Sequence, residues 1–192
     1  MTHELATLVI LAGGESRRMG FPKHTLLIDG VDVLTRLHRQ LGQLFAETIV
    51  VGRDEAVDGS AVRCVRDAYG IRSPLVGIHA GLFASRTDRC LVVACDMPYV
   101  ASSLAEHLVE RSGEADVVVP IVRGYFEPLC AVYRRTCVEA IEGLIECGIL
   151  KVSRLYDLVS VLRIEEETIR EFDPELRSFE NLNIPGQTPS GS

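Results

Sequence analysis

The chain has 192 residues, 47% of them apolar and 24% charged, the size and composition of one globular domain. Twenty Lys and Arg against 27 Asp and Glu leave a net charge of −7, which argues against a general nucleic-acid or membrane-surface binder. No apolar run reaches the length of a membrane span, and Met1-Thr2-His3-Glu4 lacks the basic start of a secretion signal, so the expected location is the cytoplasm.

Leu5–Leu11 reads as a buried strand. Val33–Phe45 reads as a helix, with Leu34, Leu37, Leu41 and Leu44 on one face. Strands follow at Thr48–Val51 and Ala61–Val65, then a helix at Leu75–Ser85 despite its glycines. Cys90–Cys95 is a continuous apolar strand, and Ser102–Arg111 a helix with Ser102 or Ser103 as its expected N-cap. Strands at Asp116–Val122 and Leu129–Tyr133, a helix at Cys137–Cys147 and a strand at Val159–Ile164 complete the pattern. Strand and helix alternate, and the strands are apolar throughout. That predicts an α/β fold: a mostly parallel sheet with helices on both faces, three layers in all. Residues 1–185 are expected to form a single domain, with 186–192 as a small, polar, disordered tail.

The six cysteines form no CxxC pair and the histidines no HExxH, so a zinc site is not expected; the cysteines read as small reduced core residues. In folds of this class ligands bind beyond the carboxyl ends of the strands. The residues that follow each strand are therefore where chemistry is sought.

After the first strand stands Leu11-Ala12-Gly13-Gly14-Glu15-Ser16-Arg17-Arg18-Met19-Gly20-Phe21-Pro22-Lys23. Adjacent glycines let backbone N–H groups approach a phosphate with no Cβ in the way. Arg17, Arg18 and Lys23 add three cations within one loop of an acidic chain. Walker A spacing fails, because five residues separate Gly14 from Gly20 and Lys23 is not adjacent to Gly20; GxGxxG fails as well. The loop reads as a phosphate cradle, against the simpler alternative of a tight turn with solvated charges.

The central strand ends in Asp96-Met97-Pro98-Tyr99-Val100. Pro98 stops the strand from simply continuing, so Asp96 lies at the mouth. Mg²⁺ takes one or two carboxylates and keeps substrate phosphates and water, so a single aspartate there can serve; the alternative is a turn or capping Asp. Asp67 also follows a strand, as a nucleotide contact or as an exposed loop acid. Gly77 and Gly81 share one helical face and permit close packing on a nucleotide or on the sheet, while His79 reads as helix packing.

LAGGESRRMGFPK is similar to the LAGGxSxRMG…K signature of the nucleotidyltransferases that join a nucleoside triphosphate to a phosphorylated acceptor. Within that group the chain most resembles the molybdenum cofactor guanylyltransferases, from Leu8 to about Pro185. CDMPYV resembles their CD-x-P-x-[IVL] metal motif, PLVGIHAG their loop beside base and ribose, and FENLNIP their closing F-x-N-[VIL]-N-T-P motif. Ile184 stands where the family has Thr, Gly186-Gln187 where it has an acidic pair, and Val50-Val51-Gly52-Arg53 where it has an Asn.

The resemblance implies a Rossmann-like sheet of the nucleotide-diphospho-sugar transferase type, and transfer of GMP from GTP to molybdenum-bearing molybdopterin with release of pyrophosphate. It implies Mg²⁺ as cofactor, held by Asp96 and Asn183, with Arg17, Lys23 and Asp96 carrying the catalysis. Leu11, Ala12, Gly13, Gly14, Lys23, Asp67, Gly77 and Asp96 are the implied nucleotide contacts. Arg123 and Tyr125, or more weakly Lys151 and Arg154, are placed on the acceptor side, and Glu165-Glu166-Glu167 reads as a solvated edge. The implied partners are GTP, molybdopterin and molybdoenzyme-maturation proteins, for a monomer or weak homo-oligomer with no nucleic acid or membrane. Three other readings share parts of the pattern. They are a cytidylyltransferase or other small-acceptor nucleotidyltransferase, a glycosyltransferase (whose DxD motif Asp96-Met97-Pro98 lacks), and a non-catalytic GTP-binding module.

Overall fold

The computed structural model describes residues 6–13, 27–28, 30–52 and 62–182; the expected tail lies outside them. In chain order the elements are β1 (Ala6–Leu11), β2 (Leu27–Ile28), β3 (Val31–Asp32), α1 (Val33–Leu41), β4 (Glu47–Val51), β5 (Val62–Val65), α2 (Pro74–Ala84), β6 (Arg89–Ala94), α3 (Ser102–Arg111), β7 (Val117–Val122), β8 (Tyr125–Phe126), β9 (Cys130–Arg134), α4 (Cys137–Glu146), β10 (Val161–Ile164) and α5 (Glu166–Phe172). Short 3-10 turns occupy Gly42–Leu44, Val152–Asp157 and Arg177–Phe179.

The strands lie in the order β5-β4-β1-β6-β9-β7-β10, with β8 paired to β7 and β2 and β3 forming a separate antiparallel pair. β1 is parallel to β4 and β6, β4 to β5, and β7 to β10, so the sheet is mostly parallel as expected. β9 is the exception, antiparallel to both β6 and β7. Its direction follows from chain length: residues 123–129 are too few for the crossover that a parallel pair needs.

Alternate strand residues feed two cores, which is why the strands are apolar on both sides. Leu8, Ile10, Leu91 and Val93 pack under α1, α3 and α5. Val9, Ile49, Cys90 and Val92 pack under α2 and α4. On α1, Val33, Leu34, Leu37 and Leu41 are fully buried, each contributing about 1.5–3 kcal/mol of transfer free energy. Asp32 caps α1 by accepting from Thr35 N–H at 2.9 Å. The helix stops at Leu41, short of the expected Phe45. Gly42 packs so tightly on His38 that a Cβ there would lie 2.5 Å from the imidazole Nδ1, and the chain tightens into a 3-10 turn.

Two local expectations are corrected. Neither Ser102 nor Ser103 caps α3: Ala101 holds the cap position, and its N–H donates to Ser178 Oγ at 2.9 Å. The two serine hydroxyls donate instead to carbonyls of neighbouring segments, Gln40 O and Phe172 O. The Glu165–Glu167 run is no mere edge either, because Glu166 opens α5 and accepts from Arg123 N–H at 2.8 Å and from Arg170.

Cys90, Cys95, Cys130 and Cys137 are buried and free, as expected; Cys64 is half-buried and Cys147 exposed. Burial pushes the Cys90, Cys130 and Cys137 thiols up to about 12, which makes them inert. No helix among the described residues is long and apolar enough to cross a membrane.

The glycines of α2 face β1, and an ideal Cβ at Gly81 would lie 2.4 Å from Val9 Cγ1. Valine is stiff at χ1 and cannot swing aside. Gly81→Ala should therefore lower the unfolding free energy by about 1–3 kcal/mol, the cost of overpacking, although alanine is the better helix former. In a Val9→Ala background that penalty should vanish. Equal penalties in both backgrounds, by urea denaturation, would remove this contact as the cause.

Candidate active site

From β1 the chain passes through α1 to β4 and β5 on one side, then crosses to β6 on the other side of β1. The carboxyl ends of β1 and β6 are thus the topological switch point, where loops diverge and leave a crevice. Leu11 lies opposite both Val51 and Ala94 there. The ladder continues one residue further: Ala12 N–H donates to Val51 O at 2.9 Å, Cys95 N–H to Leu11 O at 3.0 Å and Gly52 N–H to Val65 O at 3.0 Å. Gly13 and Asp96 stand just beyond this last rung, on adjacent strands.

Gly52 is a site-forming residue that the sequence reading passed over. Its φ is +89°, and a Cβ there would lie 2.8 Å from Gly13 Cα and 2.9 Å from Gly13 N. Left-handed backbone and backbone-to-backbone approach both demand glycine. The available signal was a glycine directly after a strand. Gly14, Arg17, Arg18 and Lys23 lie outside the described residues.

Asp96 sits in a turn closed by Met97 N–H donating to Ala94 O at 3.1 Å, and it is half-buried. Its own carbonyl accepts from Leu182 N–H at 2.8 Å. The closing motif therefore docks on the aspartate's backbone; Asn183, the next residue, lies outside the described residues.

Asp67 lies two residues beyond the end of β5, a strand three places from β6 and so about 14 Å away by strand spacing. Its Oδ1 accepts from Gly70 N–H at 2.7 Å, with Gly70 at φ +62°, so the carboxylate closes its own turn. Gly77 packs on Leu11, where an added Cβ would meet Cδ2 at 3.3 Å. Of the two roles left open for these glycines, the structure shows packing on the sheet. That packing brings the amino end of α2, capped by Ser73 and opened by Pro74, close to the end of β1. His79 is buried, with Nε2 2.9 Å from Glu142 and its ring between Tyr69 and Phe83, a packing residue as read.

On the other side of β6, the β7–β8 hairpin turns through Arg123 (φ +52°) and Gly124 (φ +78°), the signs of a two-residue primed turn. Glu166 pins it through the Arg123 N–H. Tyr125 is 75% exposed. Burial pushes the Glu127 carboxyl above its ordinary range, partly offset by the charge of Arg123. β7 is two strands from β6, so Arg123 stands about 10 Å from the Asp96 strand, on the side away from Asp67. Lys151 is exposed at the cap position of the 3-10 turn Val152–Asp157, and Arg154 lies within that turn, paired with Asp157 at 3.0 Å.

A cleft of about 630 Å³ lined by Asp116, Thr136, Asp157 and Ser160 opens at the opposite ends of β7 and β10. Asp116 there is consumed by hydrogen bonds from Thr136 and Ser160, which hold its carboxyl below the usual range. No group of three or more His, Cys, Asp or Glu among the described residues could hold a metal alone. A carboxylate at a strand end, as Asp96 is, has the oxygen-donor chemistry that Mg²⁺ takes when it shares its shell with substrate and water.

Residues 8–161 match the MobA-like NTP transferase domain family. A probable molybdenum cofactor guanylyltransferase of Pelotomaculum thermopropionicum is 40% identical over 181 residues, 94% of this chain and 88% of that one. A molybdenum cofactor guanylyltransferase of Desulfosudis oleivorans is 34% identical, covering 94% and 91%. Among solved structures, molybdopterin-guanine dinucleotide biosynthesis protein A of Archaeoglobus fulgidus superimposes with a TM-score of 0.81 at 30% identity over 93% of each chain. The 2-C-methyl-D-erythritol 4-phosphate cytidylyltransferase of Thermus thermophilus, 18% identical with a TM-score of 0.71 over 95% and 94%, shares the fold. The chain belongs to the MobA-like NTP transferase family and, within it, to the molybdenum cofactor guanylyltransferases.

Proposed function

We propose that this protein transfers GMP from GTP to the terminal phosphate of molybdenum-bearing molybdopterin. An oxygen of that phosphate attacks the α-phosphorus of GTP, the bond from the α-phosphorus to the bridging oxygen of the β-phosphate breaks, and pyrophosphate leaves. The acceptor oxygen is already anionic near neutral pH, so no general base is required. What remains is positioning and charge neutralisation.

The observation that carries this reading is the juxtaposition of Gly13 and Asp96 at the carboxyl ends of adjacent parallel strands, joined by the Cys95 N–H to Leu11 O bond. The backbone N–H groups of Gly13 and Gly14 face the triphosphate, Leu11 and Ala12 line the approach with the Ala12 N–H held by Val51 O, and Gly52 lets Gly13 pass close beside it. Arg17 and Lys23 neutralise charge on the α-phosphate and the departing pyrophosphate. Asp96 and Asn183 would hold Mg²⁺, whose charge would screen the repulsion between two anions. Asp67 and Gly77 lie on the nucleoside side, and Arg123 and Tyr125 on the acceptor side.

The test is pyrophosphate release with each of the four nucleoside triphosphates, with and without molybdopterin. Release with GTP that depends on molybdopterin is expected, and release with CTP alone would overturn the guanylyl assignment. Asp96→Asn should cut turnover by about 100-fold or more, the scale of one lost electrostatic contact in a transition state, with an unchanged melting temperature. Wild-type turnover at saturating Mg²⁺ would remove Asp96 from the mechanism. Lys23→Ala should raise the KM for GTP by about tenfold or more, as expected for a charge-assisted hydrogen bond, and an unaltered KM would count against its role.

A further inference from the structure

Elements far apart in sequence converge on the loop that carries Asp96. Tyr99, three residues on, has two guanidinium groups over its ring. Arg36, from α1, is 5.5 Å from the ring centroid, and Arg177, from the 3-10 turn near the end of the described chain, is 4.8 Å away. Both fall within the range of cation–π attraction, about 6 Å.

The backbone beside Tyr99 is tied to the same two elements. Gln40, one turn beyond Arg36 on α1, donates through Nε2 to Val100 O at 2.8 Å. Ser178, next to Arg177, accepts from Ala101 N–H at 2.9 Å, and Leu182 N–H donates to Asp96 O at 2.8 Å. The 3-10 turn is itself held firmly. Buried Asp173 accepts from the N–H groups of Arg177 and Ser178 at 3.1 and 2.7 Å, and Leu176 sits at φ +57° with its side chain buried. A segment built this rigidly has a fixed place to put Arg177. An aliphatic side chain at position 99 would fill the same space but would offer no negative ring face to either cation.

We propose that Tyr99 and Arg177 are positioning residues for the transfer reaction: the Arg36–Tyr99–Arg177 stack locks the strap at 176–182 onto the loop and thereby fixes the aim of Asp96. This rests on the reading of Asp96 as the magnesium-holding carboxylate. A partner that orients a metal ligand typically changes metal affinity or activity by about 10–100-fold when removed.

The experiment compares Tyr99→Leu, Tyr99→Phe and Arg177→Gln. It uses Mg²⁺ titrations of pyrophosphate release at saturating GTP and molybdopterin, and amide hydrogen exchange on the protein without ligands. Tyr99→Leu and Arg177→Gln should raise the half-saturating Mg²⁺ about tenfold or more while the KM for GTP stays within about twofold. The amides of Leu182 and Ala101 should exchange about tenfold or more faster, with those of Val92 and Val93 in β6 still protected. Tyr99→Phe keeps the ring and should match the wild type in both readouts.

Wild-type Mg²⁺ titrations in Tyr99→Leu and Arg177→Gln would overturn the proposal, as would a Tyr99→Phe variant as impaired as Tyr99→Leu. Arg177 is exposed, so Arg177→Gln decides the matter if Tyr99→Leu fails to fold. If the wild type releases no pyrophosphate with any nucleotide, the functional reading falls. Exchange then decides the stack by itself: unchanged exchange at Leu182 and Ala101 refutes it, and accelerated exchange supports it.

Discussion

β1 is hydrogen-bonded along both edges and covered on both faces, so the chain leaves it pressed against the neighbouring strand and helix. Much of the mouth follows from that close packing. At Gly52 a Cβ would strike the backbone of Gly13, and Gly77 and Gly81 let α2 settle directly onto Leu11 and Val9. Bare backbone is what a polyphosphate can approach most closely. The packing that stabilises the centre of the sheet therefore also sets Gly13 beside Asp96 where the proposed reaction takes place.

The order of the strands distributes the work. With β1 and β6 in the middle, Asp67 and the amino end of α2 fall to one side, and the Arg123 turn with Glu127 falls to the other. A dinucleotide product needs two recognition regions separated by a phosphate-handling centre, and the proposed reaction would draw on that spacing along the carboxyl ends of the strands.

Much of this was legible in the residues alone. Apolar strands without alternation announced a sheet covered on both faces, and the Gly-Gly turn and Asp96 were readable because each directly follows such a strand. The reversal of β9 is implied by the shortness of 123–129, which leaves no room for a crossover. The serines of α3 misled because a hydroxyl beside a helix start looks like a cap, whereas carbonyls from distant segments claimed both. Gly52 was passed over because its value lies in contact with Gly13, which only the assembled sheet reveals. Tyr99 gave no signal, as its partners stand 63 residues earlier and 78 later. Nothing local marks a ring that will meet two guanidiniums.

The backward course of β9 has an evolutionary corollary. Because the return from β7 to β9 is a hairpin and not a helical crossover, the segment at 123–129 is an excursion from a frame that closes without it. Lengthening or rewriting that excursion leaves the pairing of β6 with β1 untouched. One turn of chain can thus be exchanged for another while the ends of β1 and β6, where the proposed reaction takes place, stay fixed, which would let a single scaffold diversify in what it joins to a nucleotide.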